Sequence, residues 1–112
     1  MVRPAAPVLS PAGALARRLA DRLRWSGIES QTSEVDGVAL VGIWVVDLTV
    51  WCECGPIGWR YRWRLGAAVS SGVSGYTSCP CSALETAVGR IVRLYRERYT
   101  ALYGSAAPEE PA

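Results

Sequence analysis

The sequence predicts an α+β domain: an N-terminal helix, a three- to four-stranded antiparallel sheet, and a C-terminal helix packed on one sheet face. Three observations predict it. Apolar residues recur at helical spacing near both ends, at Leu15, Leu19 and Leu23 and again from Leu84 to Leu102. Between them, Trp59-Arg60-Tyr61-Arg62-Trp63-Arg64-Leu65 alternates strictly, which puts Trp59, Tyr61, Trp63 and Leu65 on one face of a strand and the arginines on the other. Asp36-Gly37 and Gly55-Pro56-Ile57-Gly58 interrupt the extended runs where hairpin turns are required. With 112 residues, half of them apolar, the expectation is one domain with one core over 10–104. A disordered Pro/Ala-rich lead-in at 1–9 and a disordered tail at 105–112 are expected to flank it.

The first helix starts at Ser10-Pro11, with serine as N-cap and proline at the first helical position, and closes at Gly27. Arg17, Arg18, Arg22 and Arg24 fall mainly on its outer side, and Asp21 is spaced to pair with Arg17 or Arg24. Ser30 to Val35 is polar and suits a short edge strand. Asp36-Gly37 suits a type I′ turn into Val38. The run from Val38 to Cys54 is too long for one ordinary strand, and Gly42 is the expected bend or bulge. A Gly/Ser-rich loop over Ser70 to Gly75 leads to a short strand near Tyr76 to Ser78. Ser82 and Glu85 have capping-box spacing ahead of the last helix, which carries Leu84, Val88, Ile91, Val92, Tyr95, Tyr99 and Leu102 as its apolar stripe and ends at Gly104.

Composition excludes several classes of function. Histidine, lysine, phenylalanine and asparagine are absent, so every one of the 12 basic residues is an arginine. Without histidine there is no Ser-His or Cys-His pair and no imidazole ligand, and without lysine no Walker loop. Asp47 and Glu53, six residues apart on one extended segment, stand roughly 20 Å from each other and cannot share a catalytic site. The chain reads as a non-enzyme. Arginine in place of lysine fits a GC-rich coding sequence, and a net charge of +2 is far from the basic footprint of a dedicated nucleic-acid binder. The longest apolar run, Val38 to Val46, covers about half of the ~20 residues a membrane helix needs. No signal peptide is recognisable, so a cytoplasmic location with reduced thiols is expected.

Three constellations are candidate sites. In the hairpin, a turn at Gly55 to Gly58 sets Cys54 opposite Trp59, Glu53 opposite Arg60, Trp51 opposite Arg62 and Thr49 opposite Arg64. Trp51, Arg60, Arg62 and Arg64 then form either a solvated face laced by an ion pair and an Arg–Trp stack, or a platform for phosphates and unstacked bases. The paired cysteines Cys52-x-Cys54 and Cys79-x-Cys81 can be read as ordinary reduced thiols, as four zinc ligands at an unusually short spacing, or as redox groups. Cys81, next to a helix start, is the best placed for reactivity. On the last helix, Tyr95, Tyr99, Leu102 and Tyr103 outrun the sheet that should cover them, which makes them either helix-end packing or a contact patch for a protein partner or a second copy.

The segments Asp36-Gly37-Val38-Ala39-Leu40-Val41, Val50-Trp51-Cys52 with Gly58-Trp59-Arg60, and Ala87-Val88-Gly89-Arg90-Ile91-Val92 before Tyr95 resemble small proteins of GC-rich actinobacteria for which no activity is established. The resemblance implies a source and a compact α+β fold. The order of elements is also similar to the double-stranded-RNA-binding domain. The lysine-rich start of that family's last helix is here Cys81-Ser82-Ala83-Leu84-Glu85. The leading expectation is a cytoplasmic interaction or regulatory module that self-associates or binds a protein partner, without a cofactor. A nucleic-acid-binding module using the arginine face and a zinc-stabilised domain are the alternatives.

Overall fold

The computed structural model describes residues 10–65 and 75–104. Helix α1 (Pro11–Trp25) leads into strands β1 (Gln31–Val35), β2 (Val38–Ile43), β3 (Leu48–Gly55), β4 (Gly58–Arg64) and β5 (Tyr76–Pro80), and helix α2 (Leu84–Tyr103) follows. The strands form one antiparallel meander in the order β1-β2-β3-β4-β5. The sheet therefore has five strands where three or four were expected. Each half of the 38–54 run is a full strand in its own right. The flanking segments supply two edges, β1 and a β5 that extends to Pro80.

The start of α1 is fixed locally. The Ser10 hydroxyl accepts the Gly13 N–H at 3.0 Å and also donates to the Glu34 carboxylate of β1. That carboxylate lies over Gly13, where a Cβ would collide with it. The Asp36-Gly37 turn has both residues at positive φ, as a type I′ turn requires, and joins Val35 to Val38.

The break in the 38–54 run differs from expectation. Gly42 sits inside β2, paired with Gln31 and Thr49. The chain turns instead through a 3₁₀ turn at Trp44–Val46 and a left-handed Asp47 at φ 52°. Gly42 is needed for another reason: the Trp44 indole lies across it, and a Cβ there would collide with the ring.

The start of α2 also differs. Residues Cys81–Ala83 form a separate 3₁₀ turn, and no side chain caps the helix. Ser82 thus falls within the turn, and Glu85 pairs with Arg22 of α1 instead of closing a capping box. Among the described residues the ion pairs are this one and Arg62–Glu53, so the expected Asp21 pairing does not form. Gly104 ends α2 in the left-handed conformation, its N–H bonded to the Thr100 carbonyl.

Both helices bury their apolar sides against the same face of the sheet. α1 lies across β1, β2 and β3, while α2 packs on β5 and the Trp44–Val46 turn. The core between these layers holds Leu19 and Leu23 of α1, Val41, Ile43, Leu48, Val50, Tyr61 and Trp63 of the sheet, and Ile91 of α2. Leu65 of the alternating run, one residue past β4, is exposed. The expected tail, lead-in and most of the Gly/Ser-rich loop lie outside the described residues. No helix among the described residues is long and apolar enough to cross a membrane.

Candidate interaction surfaces and thiol cluster

With both helices on one side, the other face of the sheet carries every second residue of all five strands. The register aligns Ser33, Leu40, Trp51, Arg62 and Ser78 in a row across it. One half of this face is apolar. Val35 and Trp44 are exposed, at 61% and 58%, beside the half-buried Val38, Leu40 and Trp51. Trp44 is held flat by its indole N–H, which donates to the Gln31 side-chain oxygen at 3.0 Å.

The other half is basic and aromatic. The hairpin register sets Cys54 opposite Trp59, Glu53 opposite Arg60 and Trp51 opposite Arg62, as the turn position predicts. The pairing of β3 with β4 runs from Gly55↔Gly58 to Val50↔Trp63, so the expected Thr49–Arg64 pair lies beyond it. The side-chain contacts follow a different pattern from the expected one. Glu53 reaches diagonally to Arg62, with 2.8 Å between Oε1 and Nε, while Arg60 donates to the Ser78 hydroxyl at 3.0 Å. Tyr76 replaces Trp51 as the stacking partner: the guanidinium carbons of Arg62 and Arg64 lie 4.9 and 5.9 Å from its ring centre.

The candidate residues of the last helix divide in two. Tyr95 and Tyr99 are half-buried against the core, whereas Leu102 and Tyr103 stay exposed. The three tyrosines form a ladder, with ring centres 5.8 and 4.6 Å apart. Burial, then the neighbouring Tyr99 and Tyr103, push the Tyr95 phenol above its ordinary pKa. Tyr103 ends the ladder by donating its hydroxyl to the Val45 carbonyl at 2.6 Å. The Trp44–Val46 turn thus sends Trp44 to the open sheet face and meets the helix end at Val45. An open cleft of about 700 Å³ is lined by Trp51, Arg64 and Tyr76 from the sheet and by Arg98 and Leu102 from α2.

Arg98 is the residue that sequence reasoning missed. Its guanidinium donates to the carbonyls of Asp47 and Arg64, each at 2.9 Å, and to that of Val46 at 3.4 Å. It thereby ties α2 to the turn before β3 and to the end of β4. A signal was present, since position 98 continues the row of Ala87, Ile91 and Leu94 that faces the core. A charged group on that row needs acceptors.

The cysteines fall into two environments. Cys54 is exposed at the hairpin end. Cys52, Cys79 and Cys81 are buried, and the Sγ atoms of Cys52 and Cys81 lie 3.9 Å apart. The Cys79 thiol donates instead to the Ala83 carbonyl at 3.6 Å. Among the described residues no three Cys, Asp or Glu side chains are grouped as metal ligands would be, so the four cysteines do not converge as one zinc site. Tyr61 stands between Cys52 and Cys79 in the register and donates its hydroxyl to the Leu15 carbonyl of α1 at 2.7 Å. The hydrogen bond from Cys52 pulls the Cys81 thiol below its ordinary pKa against the effect of burial, aided by the Tyr61 hydroxyl and the charges of Arg60 and Arg18. The same bond, with burial, pushes Cys52 upward. No family model matches this chain, and neither does any curated protein or solved structure.

Proposed function

We propose that this protein is a non-enzymatic interaction module that binds a second copy of itself or another protein through the uncovered face of its sheet. One observation carries the reading. Both helices occupy a single sheet face, and the opposite face holds Val35, Val38, Leu40, Trp44 and Trp51, over which no helix lies among the described residues. A one-sided antiparallel sheet in water ordinarily alternates apolar-in with polar-out. Aromatic and aliphatic side chains grouped on the outer face are what a partner would bury. Leu102 and Tyr103 extend the same offer beyond the sheet. The arrangement suits a cytoplasmic regulatory or accessory component.

The test is light scattering across the micromolar range. A dimer is expected, and Trp51→Glu, which sets a carboxylate in the middle of the face, should return a folded monomer. A wild-type monomer at every concentration would remove self-association and leave a different protein as the partner, to be sought by crosslinking in the native host.

A specific feature favours a second reading. Arg60, Arg62 and Arg64 share this face with Tyr76 and Trp51, the combination that carries single-stranded nucleic acid on other sheets. Submicromolar binding of an oligonucleotide at physiological salt would displace the first reading in favour of this one.

A further inference from the structure

We infer that Cys52 and Cys81 form a dithiol site that a hydroperoxide converts to an intramolecular disulfide, stapling β3 to the turn that precedes α2. This is independent of what the open sheet face binds. The two Sγ atoms are 3.9 Å apart and in contact, although the residues are 29 positions apart in the chain. A disulfide needs them at about 2.05 Å, so the gap to close is roughly 1.9 Å. Cys81 belongs to a single 3₁₀ turn whose start no side chain caps, and its neighbours Pro80 and Ser82 are both exposed. That turn is the movable partner. β3, hydrogen-bonded on both edges, holds Cys52 still.

The same geometry assigns the roles. Of the two thiols Cys81 is the readier to ionise, because the hydrogen bond from Cys52 and the charges of Arg60 and Arg18 favour its thiolate. Cys52 is fully buried and keeps its proton. When the turn opens locally, the Cys81 thiolate attacks one peroxide oxygen. The O–O bond breaks, a sulfenic acid forms on Cys81, and the leaving hydroxide takes a proton to become water. The Cys52 sulfur then attacks the Cys81 sulfur, the S–O bond breaks, and the departing hydroxide carries off the Cys52 proton as a second water. In sum, two thiols and one hydrogen peroxide give one disulfide and two waters. Cys79 is not part of the exchange, because its thiol turns toward the Ala83 carbonyl. Cys54 lies at the exposed hairpin end, where its thiol is directed to the Gly55 carbonyl.

The test treats the folded full chain with equimolar hydrogen peroxide and maps the cysteines by mass spectrometry under non-reducing conditions. The expected product has lost two hydrogens and contains a single Cys52–Cys81 link, which dithiothreitol reverses. Its thermal midpoint should lie above that of the reduced protein, by roughly 5–15 °C for a loop of this length. Cys54→Ser should give the same link, and Cys81→Ser should give none. Three results would overturn the inference: a link through Cys79 or Cys54, stable oxidation of Cys81 to the sulfinic acid without a link, or four unmodified thiols. The map is read on the wild-type chain, so the outcome stands even if a core cysteine variant fails to fold.

Discussion

The two faces of the β3–β4 hairpin are built from alternate residues of the same two strands, yet different physics governs them. On the helix side, Trp63 and Tyr61 are fully buried with Val50 and Cys52 opposite them. One residue away on each strand, Trp51, Glu53 and Arg62 remain partly in water. Side chains on the first face are fixed by packing from α1 and α2. Those on the second are fixed by hydrogen bonds, an ion pair and ring contacts, each weak when solvated. A tryptophan on this hairpin is therefore structural on one face and available for recognition on the other, and the pattern of alternation alone decides which.

The sharpest way to break this contrast is a matched pair of tryptophan deletions. Trp63→Ala should destabilise the fold by about 3–5 kcal/mol, through lost burial and the cavity left behind. Trp51→Ala should cost no more than about 1 kcal/mol. Urea denaturation of both variants measures the difference, and equal losses would mean that the open face is covered as fully as the other. Trp63→Phe refines the point. The Trp63 indole nitrogen is buried with no hydrogen-bond partner among the described residues, so removing it forfeits no bond.

Arg98 comes next. Arg98→Ala removes the hydrogen bonds to the carbonyls of Asp47 and Arg64, and the longer one to that of Val46, at the point where α2 meets the sheet. The expected loss is roughly 1–3 kcal/mol, with Arg98→Lys recovering only part of it because an ammonium lacks the planar fork. Amide exchange should quicken first around the Trp44–Val46 turn if the arginine acts there.

These residues also mark how far the sequence could be read. Both helices, the Asp36-Gly37 turn and the hairpin register follow from local chemistry: Ser10-Pro11, paired positive-φ residues, and strict alternation from Trp59. What escaped depends on contacts between distant segments. Gly42 looks like a bend until Trp44 is seen lying over it. Glu85 has capping-box spacing, but Arg22, 63 positions away, takes its carboxylate. The thiol pair was hidden for the same reason. The two CxC motifs read as ordinary thiols, one set of four ligands or redox groups, and only the turn at Cys81–Ala83 brings Cys81 back over Cys52.

Tyr61→Phe offers a smaller effect with a distinctive pH signature. Burial, then Cys81 and Cys52, hold the Tyr61 phenol above its ordinary value of 10.0. The unfolded chain gives up this proton near that value and the folded chain retains it. Its contribution is therefore fully present below pH 10 and is lost as pH rises further. Cys52, also raised, acts in the same direction, and Cys81, lowered, acts against it. Tyr61→Phe should lose about 1 kcal/mol at neutral pH, for the bond to the Leu15 carbonyl, and should show a shallower decline in stability above pH 10. An unchanged alkaline slope would place the phenol in solvent and weaken the case that this face is sealed.

The smallest effect on stability, and the most informative about recognition, belongs to the arginine row. Replacing Arg60, Arg62 and Arg64 together with glutamine removes one ion pair with Glu53, one hydrogen bond to Ser78 and two contacts with Tyr76, all on the solvated face. Each is worth a few tenths of a kcal/mol in water, so the triple variant should unfold within about 1 kcal/mol of the wild type. Its nucleic-acid binding separates the two readings of this surface. A protein-binding face predicts wild-type affinity for DNA or RNA no tighter than about 10⁻⁴ to 10⁻⁶ M at physiological salt, changed little by the replacement. A phosphate-binding face predicts a log–log salt slope of roughly −3 to −5, reduced in the variant because three cations no longer release counterions. Tight binding that survives the replacement would move the functional surface off the sheet, to the exposed Arg17 and Arg18 on α1.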